Sequence, residues 1–492
     1  MSTMRLSALT SIGASAASAA ALFVVFRLTV EVQSTTLIGC WALLQGLFMV
    51  ARVADIGVGN NVTRLVAVQQ SEGTPFSKFR IGAASVLITS LPVSIICALI
   101  YWPITTFVQH RYSSELPRSD IAVLAASCAV FAVTSSVSTI LLAILEGLGK
   151  LPAKNGILIL SNVVGVALAY PLLSRHGALG LGLVYGAIAF SQLLMSVLLL
   201  CTYSDLASSD DRTVRTLIGV MWRENAKLGA ISLCRLSFEP VTKLLLAITG
   251  TLAAVAAFEL ALRVSTQVRV LVQSALQPLL VAGSRRQGAV SSADTDSLFE
   301  KSGWIVIRLS AHMLEIQLIA APAVCFLGLG YFDTNFLIFF LILIVGNALN
   351  SSGQVGYFYQ LSSGVMDPLV KIHGYMAIVN VGLGLIGSWL LGAIGAVVAY
   401  GFAFAVGGLS CLGFLPARRG SPGYLRHLAA AAGLAGLVRL LFSGVLAFGV
   451  LMVADHMNPW VVVCGCLGLC ALACSHAAVS LRRAYRVGSS RG

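Results

Sequence analysis

Arg52-Val-Ala-Asp55-Ile-Gly57-Val-Gly59-Asn60-Asn61-Val-Thr-Arg64 closes an apolar run over 36–53 that is long enough to cross a membrane. Arg52 and Asp55 are three residues apart, so on a helix they share a face and can pair. Gly57 and Gly59 admit a bend or a close backbone approach. Asn60, Asn61 and Arg64 place hydrogen-bond donors just beyond. Two readings are open at this point. The stretch is either a helix end with a basic loop behind it, or a conformationally special element that the rest of the chain is built around.

Composition sets the fold class. Of 492 residues, 58% are hydrophobic and 10% are charged, and the mean hydropathy is +0.90. A soluble domain carries about a quarter charged residues, so the chain is an all-α, polytopic membrane protein. The apolar runs are continuous and do not alternate, which excludes a β-barrel. About 14 spans fit, among them 7–29, 36–53, 155–174, 178–201, 228–249, 252–281, 303–330, 427–453 and 460–481. The small-residue stretch after Arg5 imitates a signal peptide but has no convincing cleavage site, and it is read as the retained first span.

The formal charge of +13 is spread between the spans, which points to membrane topology and away from nucleic acid. Loops placed inside hold Arg64, Lys78, Arg80, Lys150, Lys154, Arg212, Arg285, Arg418 and Arg482 among others; those outside hold only Arg27, Arg111, Arg118 and Arg175. This bias predicts that both termini are cytoplasmic. The eleven cysteines lie almost entirely within apolar runs. Cys466, Cys470 and Cys474 recur at helical spacing without a histidine or carboxylate beside them, so they are read as packing residues.

Gly177-Ala-Leu-Gly180-Leu-Gly-Leu-Val-Tyr185-Gly186 aligns with Gly392-Ala-Ile-Gly395-Ala-Val-Val-Ala-Tyr400-Gly401 at an offset of 215 residues. Each copy occupies six spans, so both enter the membrane in the same orientation, an arrangement found in transporters. The expected division is a first lobe over 1–205, a second over 206–420, and two added helices with a tail over 421–492.

Motifs for catalysis are missing. Gly382-Leu-Gly384-Leu-Ile-Gly387 has dinucleotide-site spacing but lies inside an apolar span, where helix packing explains it. No metal-ligand cluster or nucleophile elbow is present, so neither an enzyme nor a cofactor is expected. A glycan polymerase or ligase would need a long outside loop with catalytic basic residues. The longest here is short, around His110 to Asp120.

Three stretches carry a family resemblance. They are the Arg52–Arg64 string, Leu145-Glu146-Gly147-Leu148-Gly149-Lys150 with Lys154 and Asn155, and Ala257-Phe258-Glu259-Leu260-Ala261-Leu262-Arg263. Together they resemble the polysaccharide transporter and O-antigen flippase family of the MOP (multidrug/oligosaccharidyl-lipid/polysaccharide) flippase superfamily. The resemblance implies two pseudo-symmetric six-helix lobes around a central cavity, with the first and seventh helices facing each other across it. It also implies a bacterial inner-membrane location and a polyprenyl-diphosphate-linked glycan as substrate.

Ionisable residues within spans are expensive and therefore functional by default. Arg235, Glu239 and Lys243 recur at i, i+4, i+8, and Glu259 and Arg263 at i, i+4. Arg308, His312 and Glu315 share the ninth span; Arg27 with Glu31, and Arg52 with Asp55, end the first two. Arg27, Arg52, Asp55, Arg64, Arg235, Glu239, Lys243, Glu259, Arg263 and Arg308 are the candidate substrate-binding residues, since arginine grips phosphate oxygens bidentately and lysine adds a point charge. Glu31, Asp55, Glu239, His312 and Glu315 are candidates for coupling to an ion gradient. The bland alternative for each pair is mutual neutralisation between helices. Expected partners are the lipid-linked glycan, membrane lipids and other polysaccharide assembly proteins. A lipid II-type flippase and a cation-coupled multidrug exporter of the same fold are the alternatives. An exporter of cations would favour carboxylates, whereas here basic residues equal or outnumber them.

Overall fold

The computed structural model describes residues 2–55, 58–59, 62–63, 65–67, 78–202, 233–234, 238–286, 292–362, 367–413 and 458–489. Among these residues all regular structure is helical. The elements are α1 (Ser2–Val32), α2 (Thr35–Met49), α3 (Lys78–Tyr112), α4 (Arg118–Gly147), α5 (Leu151–Cys201), α6 (Glu239–Thr249), α7 (Leu252–Arg286) and α8 (Ser292–Leu329). There follow α9 (Thr334–Ser352), α10 (Gln354–Ser362), α11 (Asp367–Leu391), α12 (Ala393–Leu412) and α13 (Pro459–Ser489). Nine of the described helices are long and apolar enough to cross a membrane. The expected span 427–453 lies outside the described residues, as do 228–232 and 235–237 of the expected span 228–249.

Helix starts follow local chemistry. The Ser34 hydroxyl accepts the Leu37 N–H at 3.1 Å to cap α2, and Asp333 accepts the Phe336 N–H at 2.8 Å to cap α9. After Met49 the chain tightens into a 3₁₀ turn over Val50–Asp55, just ahead of Gly57.

The chain forms two compact units, Met1–Ala256 and Ala257–Gly492. The division at 205/206 expected from the repeat follows sequence similarity, a different property from contact density. In the first unit α5 packs on α1 and α4, α3 on α4, and α2 on α4 and α6. A polar zipper holds α1 to α5. Asn155 Nδ2 donates to Thr10 Oγ1 and Ser11 Oγ, both at 3.1 Å, and two turns later Asn162 Nδ2 donates to Ser18 Oγ at 2.9 Å. In lipid such amides must find a partner on a neighbouring helix. In the second unit α12 packs on α11 and α9, and α8 on α9 and α13. Val462, Val463 and Cys466 of α13 bury against Ala323 of α8.

Both copies of the repeat have the same backbone at their turn glycine. Gly177 breaks α5 into two arms at φ 53°, ψ −122°, and Gly392 joins α11 to α12 at φ 60°, ψ −139°. This left-handed conformation is open to glycine and strained for other residues. Three residues on, a Cβ on Gly180 would strike the Leu172 carbonyl, and one on Gly395 would strike the Gly387 carbonyl. Leu172 and Gly387 are themselves 215 residues apart. The repeat is therefore physical: the same glycine reverses the chain and the next lets the two arms touch. Its tyrosines have parallel roles. Tyr185 stacks on Trp41 with ring centroids 4.7 Å apart, and Tyr400 meets Phe258 edge-on at 5.9 Å.

Candidate functional site

Arg52 and Thr63 of the opening stretch dock along one face of α4. Arg52 Nη2 donates to Thr139 Oγ1 at 3.5 Å, and Thr63 Oγ1 donates to the Ala143 carbonyl at 3.1 Å. A Cβ on Gly147 would come within 2.8 Å of the Thr63 carbonyl and 2.7 Å of Val66 Cβ. Thr139, Ala143 and Gly147 recur every four residues, so they form a single stripe on the helix. Val58, Val62 and Val66 fill the hydrophobic layer beneath, with Ile81, Ile140 and Ile144. Two stretches that resemble the same family thus touch, although about 80 residues separate them. Directly after the stripe, Lys154 Nζ lies 2.5 Å from Glu146 Oε2.

Among the described residues Lys243 is the most deeply placed charge. Its side chain is 0% exposed, it lies on α6, and Nζ donates to Glu239 Oε1 at 2.6 Å; Glu239 is 41% exposed. Gly46 of α2 makes room for it, because a Cβ there would come within 2.7 Å of Lys243 Cδ. On α1, Arg27 Nε lies 3.4 Å from Glu31 Oε2, in a pair more than one-third open at both ends.

Within the second unit, Arg263 Nε donates to Glu259 Oε1 one turn earlier on α7. Glu259 is buried and Arg263 is partly open. His312 Nδ1 lies 3.7 Å from Glu315 Oε2 on α8, and Arg308 on the same face is exposed and pairs with no described residue. Both Glu239–Lys243 and Glu259–Arg263 put the acid one turn before the base, the favourable order on a helix.

The structure therefore brings together four of the expected pairs or near pairs. Arg64 and Arg235 lie outside the described residues, as does the Asp55 side chain. Arg269 of α7 lies with Cζ 4.9 Å from the Phe404 ring centroid. Of the cysteine stripe, Cys466 is buried, Cys470 donates its S–H to the Ile316 carbonyl at 3.6 Å, and Cys474 is exposed; all three are free thiols. Sequence reasoning misses Gly46 and Thr139. A small residue inside a span is a weak signal for helix contact, and nothing local marks Gly46 as the seat of a buried lysine.

These features define a multi-pass α-helical membrane protein built on an internal six-helix repeat. Its fold is that of the MOP superfamily transporters. A lipid II flippase, MurJ, in an inward closed conformation matches with a TM-score of 0.66 at 10% identity, over 97% of this chain and 99% of that one. The inward-facing conformation of a multidrug resistance MATE family transporter matches with a TM-score of 0.65 at 14% identity, over 85% and 94%. A MOP superfamily transporter from Pyrococcus furiosus, described as having a binding pocket of reversed polarity, matches at 0.53 with 17% identity, over 87% and 94%. No protein-family profile matches the chain, and no curated protein sequence matches it significantly.

Proposed function

We propose that this chain is a flippase of the bacterial cytoplasmic membrane, with both termini cytoplasmic. It would move a polyprenyl-diphosphate-linked oligosaccharide from the cytoplasmic to the outer leaflet by alternating access. The observation that carries this reading is the state of the intramembrane cations. Lys243 is wholly buried and Arg263 is held against a buried carboxylate, and membrane interiors retain such groups for substrates or ions. The lobes 1–205 and 206–420, with the added helices of 421–492, are the working parts in this proposal. Arg27, Arg52, Arg64, Arg235, Lys243, Arg263 and Arg308 hold the diphosphate, while Asp55, Glu239 and Glu259 balance the charge of the empty site. An incoming diphosphate competes with Glu239 and Glu259 for their bases, which links substrate binding to rearrangement of α6 and α7. Glu31, Asp55, Glu239, His312 and Glu315 are the groups through which an ion gradient would act. Other polysaccharide assembly proteins are the expected partners.

A lipid II-type flippase is the second reading, supported by the end-to-end match to MurJ. Its substrate offers the same diphosphate, so the two readings differ only in the glycan. A multidrug exporter fits less well, because each described intramembrane carboxylate is matched by a base.

Depletion of the protein followed by lipid extraction tests the proposal. Polyprenyl-diphosphate oligosaccharide accumulating on the cytoplasmic leaflet, with loss of surface polysaccharide, is the expected result. Accumulation of lipid II supports the second reading. Sensitivity to cationic drugs with no lipid-linked glycan built up would overturn both.

A further inference from the structure

We propose that the interior of the second compact unit contains a binding site for one small monovalent anion of halide type. The site lies among α7, α8 and α9, where Ser265, Arg269, Ser310, Gln317, Asn347 and Ser351 line a cavity. The cavity leaves about 10 Å³ for the centre of a water-sized sphere. That is room for one small ion or one water, and none for sulfate or phosphate.

Three lining side chains point to a ligand. Ser310, Gln317 and Asn347 are 5%, 7% and 4% exposed, and among the described residues Ser310 Oγ, Gln317 Nε2 and Asn347 Oδ1 have no hydrogen-bond partner. Buried polar atoms are almost always satisfied, so three such atoms around one small cavity indicate a species that serves all of them at once. The sign of that species follows from the lining. Arg269 contributes a guanidinium, and no carboxylate lines the cavity among the described residues. A cation is therefore repelled, and an anion gains both the charge and the Ser310 and Gln317 donors. Asn347 offers its carbonyl oxygen as placed, with Nδ2 donating to Ser265 Oγ at 3.1 Å. Its amide oxygen and nitrogen exchange places by a half-turn, which turns an N–H to an anion, while the Ser265 hydroxyl turns from the Leu262 carbonyl, to which it donates at 3.1 Å, to the amide oxygen.

The site is separate from the charged residues described above. At about 100° per residue, the Ser265–Arg269 pair is centred about 120° around α7 from the Glu259–Arg263 pair. Ser310 and Gln317 lie on the opposite face of α8 from Arg308, His312 and Glu315. The anion would complete the packing of three helices.

Two measurements on the full-length protein test this. Crystals grown in sodium bromide should show an anomalous bromine peak within the cavity. In detergent, the melting temperature should rise when chloride replaces gluconate at constant ionic strength. The expected rise is about 2–4 °C at a chloride concentration about four times the dissociation constant. Ser310→Ala combined with Gln317→Leu should melt at one temperature in both salts. Bromine peaks elsewhere but none in the cavity would overturn the proposal, as would a wild-type melting temperature indifferent to chloride. Water would then be what serves these polar atoms.

Discussion

Glu239→Gln removes the carboxylate that Lys243 Nζ meets at 2.6 Å and leaves the rest of the site in place. Lys243 is wholly buried, whereas Glu239 is 41% exposed. Removing one member of a fully buried pair costs roughly 3–5 kcal/mol, and an exposed pair contributes up to about 1 kcal/mol. Solvent screening at the Glu239 end puts the substitution between these limits, at about 2 kcal/mol. For a unit of this size that corresponds to a fall in melting temperature of about 4–8 °C. Lys243→Met should behave differently, because it replaces a buried cation with an unbranched apolar chain that fits the space beside Gly46. It should cost less than about 1 kcal/mol, and the double variant should resemble Lys243→Met alone. The assay is thermal unfolding in detergent of the four proteins of the double-mutant cycle. If the two single substitutions shift the melting point equally and add in the double variant, Glu239 and Lys243 are not energetically coupled and the argument from burial is wrong.

Other expectations concern the repeat and the charged face. Gly177→Ala and Gly392→Ala each place a side chain at positive φ, so each should destabilise by about 1–2 kcal/mol; markedly unequal losses in thermal unfolding would argue against equivalent turns. Arg308→Ala should lower lipid-linked glycan transport at least tenfold in reconstituted vesicles and leave the melting temperature within about 1 °C, since Arg308 is exposed and pairs with no described residue. A melting point that falls together with transport would give Arg308 a structural role. Asn162→Leu should weaken the contact of α1 with α5 by about 1 kcal/mol, seen as faster hydrogen exchange near Ser18. Unchanged exchange there would show that the zipper contributes little.

The internal repeat was legible because its key glycines answer to local rules. A residue at φ near +55° followed by a close backbone contact leaves few options but Gly-x-x-Gly, and that pattern stands at both Gly177 and Gly392. The charged pairs on α6 and α7 were legible for the same reason, since i, i+4 spacing on a helix is a property of the chain alone. The depth of each pair was not. Lys243 and Arg27 look alike in sequence, yet one is sealed against Gly46 of another helix and the other is one-third open. The docking of Arg52 and Thr63 on Thr139, Ala143 and Gly147 was likewise hidden, because no local rule relates residues about 80 positions apart.

What this sequence determines by itself is a polytopic helical protein, the places where its helices begin and break, and a twofold internal repeat. These follow from hydropathy over about 20 residues, from capping groups and from the backbone freedom of glycine, all of which act within a few turns. Only the tertiary structure decided which charges are buried, which helix faces meet, and that Ser310, Gln317 and Asn347 converge on one cavity with Arg269. Burial is set by what packs opposite a residue, and the opposite helix comes from a distant part of the chain.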